Sequence, residues 1–419
     1  MKRFLFLFSI LLLVALVVWG GNYFLNTINR GDGRVVGDGS SGGVVSVLPG
    51  GSEFVPGDNG GTTAPSGNTS SQDIVASLVP RDGFGVVVDR EVFDYAVLDD
   101  DSIIFIQSSG QIARISEEGM EIVSSIGISN LRYAAISPDA QKTVVVFGSV
   151  ESPQVSVFDL EEKAWEPVFI YPNSFPIWAP NNHRLAYMTE EEGIPYLEVI
   201  DLGQANPRAQ RLTSYNIFDA EISWKNSSEI IISQRPTAYA LQTAVVYHLT
   251  RRTLTPLFSG ETGLVFKWYP LIDQGVVFTN NRSTQGGVMD LVDGAGKRTK
   301  RFSFVAIPRD KCSFVQLPYA AQDPDKKVSV ELQEASLLCA LPNSRSGYGE
   351  LILPDDYWQG KTVVPEKLIE VSLYDGTYRE SSLGPTGYLD ATNIQLGHDV
   401  LYFLNRFDRK VYGMDFATH

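Results

Sequence analysis

Few side chains in this sequence could do chemistry, and their spacing assembles no catalytic set. The four histidines, His183, His248, His398 and His419, lie in separate stretches of chain. No motif surrounds them of the kind that a Ser/His/Asp relay requires. Carboxylates cluster at Asp99-Asp-Asp101, Glu190-Glu-Glu192 and Asp355-Asp356, all in turn-like sequence. Sugar hydrolysis needs two carboxylates facing each other across a cleft, which adjacent residues do not imply. None follows the calcium-loop spacing either, so these clusters are read as solvated turns. Gly39-Ser-Ser-Gly-Gly43 satisfies G-x-S-x-G, but its Gly/Ser-rich surroundings cannot make the strained strand-to-helix turn on which that motif works. Arg30-Gly-Asp32, which matches an adhesion tripeptide, is a chance match in the same linker. The two cysteines, Cys312 and Cys339, show neither a CxxC pair nor zinc spacing, so no structural zinc site is expected; no motif points to another metal or a cofactor, the alternative being a metal site assembled from distant blades.

The elements that must position any site are short strands. Phe175 to Thr213 contains four runs rich in aromatic and β-branched residues, ending at Trp178, Met188, Leu202 and Thr213 and parted by Pro, Asn and Gly. That is the signature of a four-stranded antiparallel sheet. It recurs. Aligned on the end of the first strand, the copies fall at Val97, Ile136, Trp178, Trp224, Trp268, Phe314 and Ile394. By subtraction the first six are 39 to 46 residues apart and the last two 80. The period of a four-stranded propeller blade is about 40–45 residues. The turn after the anchor repeats as Ser137-Pro-Asp139, Ala179-Pro-Asn181, Lys225-Asn-Ser227 and Tyr269-Pro-Leu271, each leading into an apolar strand. Pro presets such a turn, and Asn or Asp tolerates its dihedrals. The tryptophans at the anchor are read as core residues packed between blades.

The pattern of an aromatic residue, Ser/Ala-Pro-Asp/Asn, an Ile/Leu-Ala-Tyr strand and a closing Asp-Leu resembles the TolB-like, WD-related β-propeller family. The clearest copies are Leu131 to Phe169 and Phe175 to Thr213, and weaker ones extend the match from Asp94 to Phe416. The resemblance implies an exported propeller acting through protein contacts in the cell envelope. The chain departs from that family in lacking an obvious separate N-terminal α/β domain. Seven anchors imply an all-β propeller of seven blades, with six or eight as alternatives. The last copy has room for about three strands, and Phe84-Gly-Val-Val-Val-Asp89 is the natural fourth, because pairing the two chain ends removes exposed edges.

Around this head the composition changes twice. Lys2 and Arg3 precede the apolar run Phe4 to Gly20, and no charge follows until Arg30. Such a run is long enough to cross a bilayer, with the N-terminus cytoplasmic and the rest exported. A cleavable signal peptide is the alternative, although Val-Val-Trp-Gly-Gly-Asn offers it a poor cut site. Residues 31–77 are rich in Gly, Ser, Asp, Pro and Thr, a composition that stays flexible, with a mean reach on the order of 35 Å. The expected organisation is therefore an anchor over 1–30, a tether over 31–77 and a propeller over 78–419. A formal net charge of −15 argues against a nucleic-acid partner, which clustered Lys and Arg would have to hold. The basic run Lys297 to Arg301 is read as a solvated strand edge, where lysines also block aggregation. Asn68, Asn226 and Asn281 head glycosylation sequons that matter only in a host that modifies exported proteins.

The sixth copy is about twice the usual length, with polar insertions after Phe314 and from Pro342 to Pro365. Long loops on a regular scaffold often carry function, and a tolerated surface insertion is the other reading. If Leu337 to Leu341 is the second strand of that blade, Cys339 comes within reach of Cys312. Export would allow a disulfide, the alternative being two buried thiols. Polar residues on or leading into innermost strands form the candidate ligand face: Arg132, Asp219, Glu221, Lys267, Lys311 and Asp390. Ordinary solvation of a wet channel would place the same residues there. The expected function is a membrane-tethered, extracytoplasmic protein-binding or scaffold module without catalysis. Its expected partners are envelope or extracellular proteins, and the membrane through the N-terminal helix. The alternatives are an envelope enzyme processing glycan or peptide at the channel mouth, and a structural subunit distinguished by apolar residues exposed on the disc.

Overall fold

The computed structural model describes residues 83–217, 219–280, 286–316, 335–343, 346–361, 365–382 and 389–416. The apolar run, the tether and the first insertion of the sixth copy lie outside the described residues. Those described belong to the compact unit Leu48–His419.

Seven four-stranded antiparallel sheets follow one another. After β1 (Phe84–Val88), blade 1 is β2 to β5 (Val92–Val97, Ile103–Gln107, Ile112–Ser116, Gly119–Ser124) and blade 2 is β6 to β9 (Leu131–Ile136, Lys142–Gly148, Pro153–Asp159, Ala164–Val168). Blade 3 is β10 to β13 (Ile177–Trp178, Arg184–Glu191, Ile194–Asp201, Gln210–Ser214), and blade 4 is β14 to β17 (Ala220–Asn226, Glu229–Gln234, Leu241–His248, Thr253–Thr262). Blade 5 is β18 to β21 (Val265–Tyr269, Gln274–Thr279, Val288–Val292, Arg298–Arg301), and blade 6 is β22 to β25 (Cys312–Gln316, Ala335–Pro342, Glu366–Ser372, Tyr378–Ser382). Blade 7 is β26 to β28 (Ala391–Leu396, Val400–Asn405, Val411–Asp415) with β1 as its outermost strand, Phe84 opposite Met414 and Gly85 opposite Gly413. The fold is thus the seven-bladed propeller expected from the anchors, closed by the N-terminal strand. Every anchor residue lies in the first strand of its blade.

Burial follows strand position. Second strands such as β3, β7 and β15 carry unbroken Ile/Val/Phe runs because blades cover both of their faces. Fourth strands are open, and β21, the basic Arg298–Arg301 run, is exposed throughout. Trp178, Trp224 and Trp268 are 8%, 8% and 7% exposed. The Trp178 indole N–H donates to the Ala135 carbonyl at 2.8 Å, and that of Trp224 to the Ile177 carbonyl at 3.2 Å, so each ties its blade to the preceding one. Trp268 instead donates to Asp273 at 3.1 Å. Its ring lies flat on Gly275, where a Cβ would come within 2.5 Å. Hydrophobic clusters bridge consecutive blades, as when Met188 and Leu197 of blade 3 join Ile230 and Tyr247 of blade 4.

The alternation of strands gives the disc two faces. First strands begin at one face, here the entry face, where connections from second to third strands and from fourth strands to the next blade also lie. First-to-second and third-to-fourth connections lie on the far face.

Candidate functional site

Four of the six predicted channel residues, Glu221, Lys267, Lys311 and Asp390, lie on the entry face around one short helix, in a network of ion pairs and hydrogen bonds. Short α1 (Pro308–Lys311) leads into β22 and carries three charged residues in succession, Arg309, Asp310 and Lys311. The Arg309 guanidinium reaches Glu221 on β14 at 2.6 Å and lies 4.8 Å over the Trp358 ring. Lys267 on β18 donates to the Cys312 carbonyl at 2.6 Å. Lys311 is fully buried and bonds Glu366 at 2.5 Å, Asp390, and the Ala391 carbonyl at 3.1 Å. Arg406 pairs with Asp390 at 2.7 Å from the other side. Burial pushes the Glu221 carboxyl up, with Arg309 pulling against it. Burial likewise raises Glu366 against the pull of Lys311, and lowers Lys267 to about 8 against the pull of Asp310. The ammonium of Lys311 has three donors and finds three acceptors, which is what a buried charge requires.

A cap covers this network. The connection from β23 to β24 carries α2 (Ser346–Gly349) and α3 (Asp355–Trp358). Asp355 accepts from Thr237 Oγ1 at 2.9 Å and from the Ala238 N–H at 2.8 Å, both in the β15–β16 connection of blade 4. Asn280 of blade 5 donates to the Leu353 carbonyl at 2.8 Å, and Arg406 of blade 7 to the Tyr357 carbonyl at 3.1 Å. Trp358 Nε1 donates to Asp310 at 2.7 Å, and the Tyr357 ring lies under Arg406 at 4.3 Å. The second insertion of the sixth copy is therefore bonded to blades 4, 5 and 7. Asp355 and Asp356, read as solvated, depart from that expectation: Asp356 is buried, accepting from the Ile352 N–H and from Lys361.

The other predicted residues lie apart from this network. Arg132 donates to the Ser149 carbonyl at 3.3 Å, and Asp219 is exposed 3.6 Å from Arg235. Cys312 and Cys339 stand opposite each other on β22 and β23 with sulfurs 2.08 Å apart, a disulfide buried in the blade core. Sequence reasoning missed Arg309, Asp310, Glu366, Arg406, Tyr357 and Trp358; the Pro-Arg-Asp-Lys run directly before an anchor strand is a signal for the first two, and no local motif marks the other four. His183 and His398 contact Asp139 and Asp101 at 2.7 and 2.9 Å on exposed turns. His248 is different: Nδ1 is 2.6 Å from Glu229 and Nε2 is 2.9 Å from Thr255 Oγ1, across adjacent strands at the far face. Arg251 also approaches Nδ1, at 2.8 Å. Among the described residues no group of three or more His, Cys, Asp or Glu side chains is placed to hold a metal ion.

Side chains also distinguish the two faces by exposure. Ile126, Val150, Phe169, Tyr171 and Ile194 are exposed on entry-face connections of blades 1 to 3, and Tyr239 and Phe407 on those of blades 4 and 7. Among the described residues the far face exposes Leu271, Tyr378 and, beside the β4–β5 hairpin, Met120. Phe169 and Tyr171 are 86% and 77% exposed.

No family model matches the chain, and no curated protein matches it. Solved structures do. The match to oligogalacturonate lyase in complex with manganese has a TM-score of 0.54 at 10% identity, over 82% of this chain and 93% of that one. The match to the tricorn protease has a TM-score of 0.51 at 14% identity, over 80% of this chain and 34% of that protein, so the chain spans about a third of it. This chain is a β-propeller. TolB from Acinetobacter baumannii is among the matched structures, with a TM-score of 0.35 at 11% identity over 77% of this chain and 62% of that one. At these identities the likeness is one of fold.

Proposed function

We propose that this propeller is a membrane-tethered, extracytoplasmic protein-binding or scaffold module of the cell envelope, and that its entry face is the binding surface. The observation that carries the reading is the exposure of large apolar side chains on entry-face loops, Phe169 and Tyr171 above all; a structural subunit of a larger complex would expose such residues too, so the reading takes in a standing protein contact as well as a transient one. Apolar side chains gathered on the connections of one face mark a contact surface where single ones would not, because their burial is free energy available to a partner. The ionised groups near the channel are consistent with a scaffold, since they are spent on one another and on the cap. The apolar run ahead of the tether supports placement at a membrane.

The test is site-specific photo-cross-linking in intact cells, with the photoreactive residue at Phe169 and, in a second full-length variant, at Tyr378 on the far face. A discrete protein adduct from position 169 and none from 378 is expected. No adduct from 169, or the same adduct from both positions, would sink the reading.

The hydrogen-bonded Glu229, His248 and Thr255, which lie toward the blade rim at the far face and not at the channel mouth where the sequence placed an enzyme site, favour one second reading, a peptide- or glycan-processing enzyme. It requires that cell-wall peptide or glycan be cleaved by the intact chain and that Thr255→Ala abolish cleavage. The binding reading expects no turnover in either form.

A further inference from the structure

The entry face between blades 3 and 4 holds a recess of about 290 Å³, lined in part by Asn173 of the connection that carries Phe169 and Tyr171. Its walls include Asn173, Glu190, Pro195 and Asp219. The connection from β9 to β10, which carries Phe169 and Tyr171, is fixed against β11 at this point: the Asn173 N–H donates to the Met188 carbonyl, and the Met188 N–H to Ser174 Oγ, both at 2.9 Å. Tyr171 thus stands two residues from the wall of the recess.

Charge here is unbalanced. Among the described residues Glu190 and Glu192 form no ion pair, and Arg211, the nearest cation in sequence pairing, is held by Glu191 at 2.6 Å and Glu198 at 3.1 Å. Asp219 is paired with Arg235 at 3.6 Å, so Glu190 is the carboxylate of the recess left without a cation among the described residues. The volume is at the small end for a whole ligand, about 300 Å³ being a lower limit for small-molecule pockets, and suits the end of one long side chain.

We infer that the recess takes a Lys or Arg side chain of a partner protein segment, whose neighbouring apolar residues lie on Phe169 and Tyr171. A cation there meets the exposed carboxylates of Glu190 and Asp219 at a concave point of the surface, while the rings supply the apolar contact that an acidic recess alone lacks. This inference rests on the protein-binding reading above and adds the chemistry of the partner. Glu190 and Asp219, which looked in sequence like a solvated turn and a channel residue, become parts of one docking point.

The test is selection of a random peptide library on the full-length protein in detergent. Enriched peptides are expected to carry Lys or Arg beside an aromatic or aliphatic residue. The best of them should bind at least tenfold more weakly to the Glu190→Gln, Asp219→Asn double variant and to the Phe169→Ser, Tyr171→Ser double variant, and equally well to Tyr378→Ser. Asn suits position 219, whose φ of 52° lies in the left-handed region that Asn tolerates, and thermal melting of each variant separates lost binding from lost folding. Binding should also weaken as salt is raised. Enriched peptides without a basic residue, basic peptides insensitive to both double variants, or no enrichment at all would overturn the inference. If position 169 still cross-links a protein in that event, the binding reading stands without this docking point. If it cross-links none, both fall.

Discussion

Replacing Lys311 by methionine isolates the free energy stored at the centre of the capped network. The lysine side chain is 0% exposed, and those of Glu366 and Asp390 are 3% and 7%. Methionine fills much of the same volume, so packing changes little and the electrostatics dominate. Without the ammonium, Asp390 keeps Arg406 at 2.7 Å, but Glu366 keeps only the Ala391 N–H at 2.8 Å. Breaking a buried pair by removing one partner costs about 3–5 kcal/mol, and the surviving Arg406 places this case near 3. The sign with pH follows from Glu366. Burial already raises its folded pKa above the ordinary glutamate value, and losing Lys311 removes the strongest opposing pull, so it rises further. A carboxyl with a raised folded pKa takes up protons on folding, so stability falls as pH rises through that pKa. The deficit of the variant should therefore be small near pH 4.5 and grow toward pH 8. Urea unfolding of both proteins at these two pH values measures it. Adding Glu366→Gln to Lys311→Met should recover part of the loss at pH 8. A deficit below about 1 kcal/mol at pH 8, or one of equal size at both pH values, would refute the reasoning.

Three further outcomes are expected. Reducing the Cys312–Cys339 disulfide opens a loop spanning 27 positions, which the chain-entropy relation values at about 3.5 kcal/mol. The urea midpoint should fall with reductant in the native chain and not in the Cys312→Ala, Cys339→Ala variant. Asp94 on β2 accepts from the Ile136 N–H at 3.1 Å and from Asn393 at 2.9 Å, and burial raises its pKa to about 6. Its stabilising contribution is present at acid pH and lost as pH rises through 6, so Asp94→Asn should flatten stability against pH between 4 and 7; parallel curves would exclude this. Asp355→Ala removes the acceptor for Thr237 and Ala238, at a local cost of about 1–3 kcal/mol. Amide exchange in 348–358 should quicken while the second strands of the blades stay protected, and global loss of protection would show that the cap is not separable from the disc.

The disc was legible because each of its rules is local. An anchor, a Pro/Asn turn and an apolar second strand recur within about forty residues, and burial on both faces forces the second strand to be continuously apolar, as in Ile230-Ile-Ile232. Closure was legible for a related reason: Tyr388 to Phe416 held too few strands, and Phe84 to Asp89 was an unattached one. The pairing of Cys339 with Cys312 followed from placing Leu337 to Leu341 beside the anchor strand. The cap was not legible. Asp355 meets Thr237 across 118 positions and Arg309 meets Glu221 across 88. Nothing in the composition of Asp355-Asp356 separates a carboxylate that bonds another blade from one that bonds water.

The entry face was illegible for a different reason, which bears on how its binding role should be sought. Singly, an exposed Phe or Tyr in a loop carries no information, because most folded surfaces contain such residues. Val150, Phe169, Tyr171 and Ile194 gain meaning only when strand direction assigns every second-to-third and blade-to-blade connection to the same face. Strand direction is fixed by closure: once β1 is the outermost strand beside β28, each first strand must start where β1 ends. The first insertion, by contrast, joins β22 to β23 and so connects strand ends on the far face. Deleting Pro318 to Lys327 would remove none of the described entry-face connections. A partner that survives this deletion but is lost with Phe169→Ser, Tyr171→Ser binds the entry face, and one lost with the deletion alone binds the other.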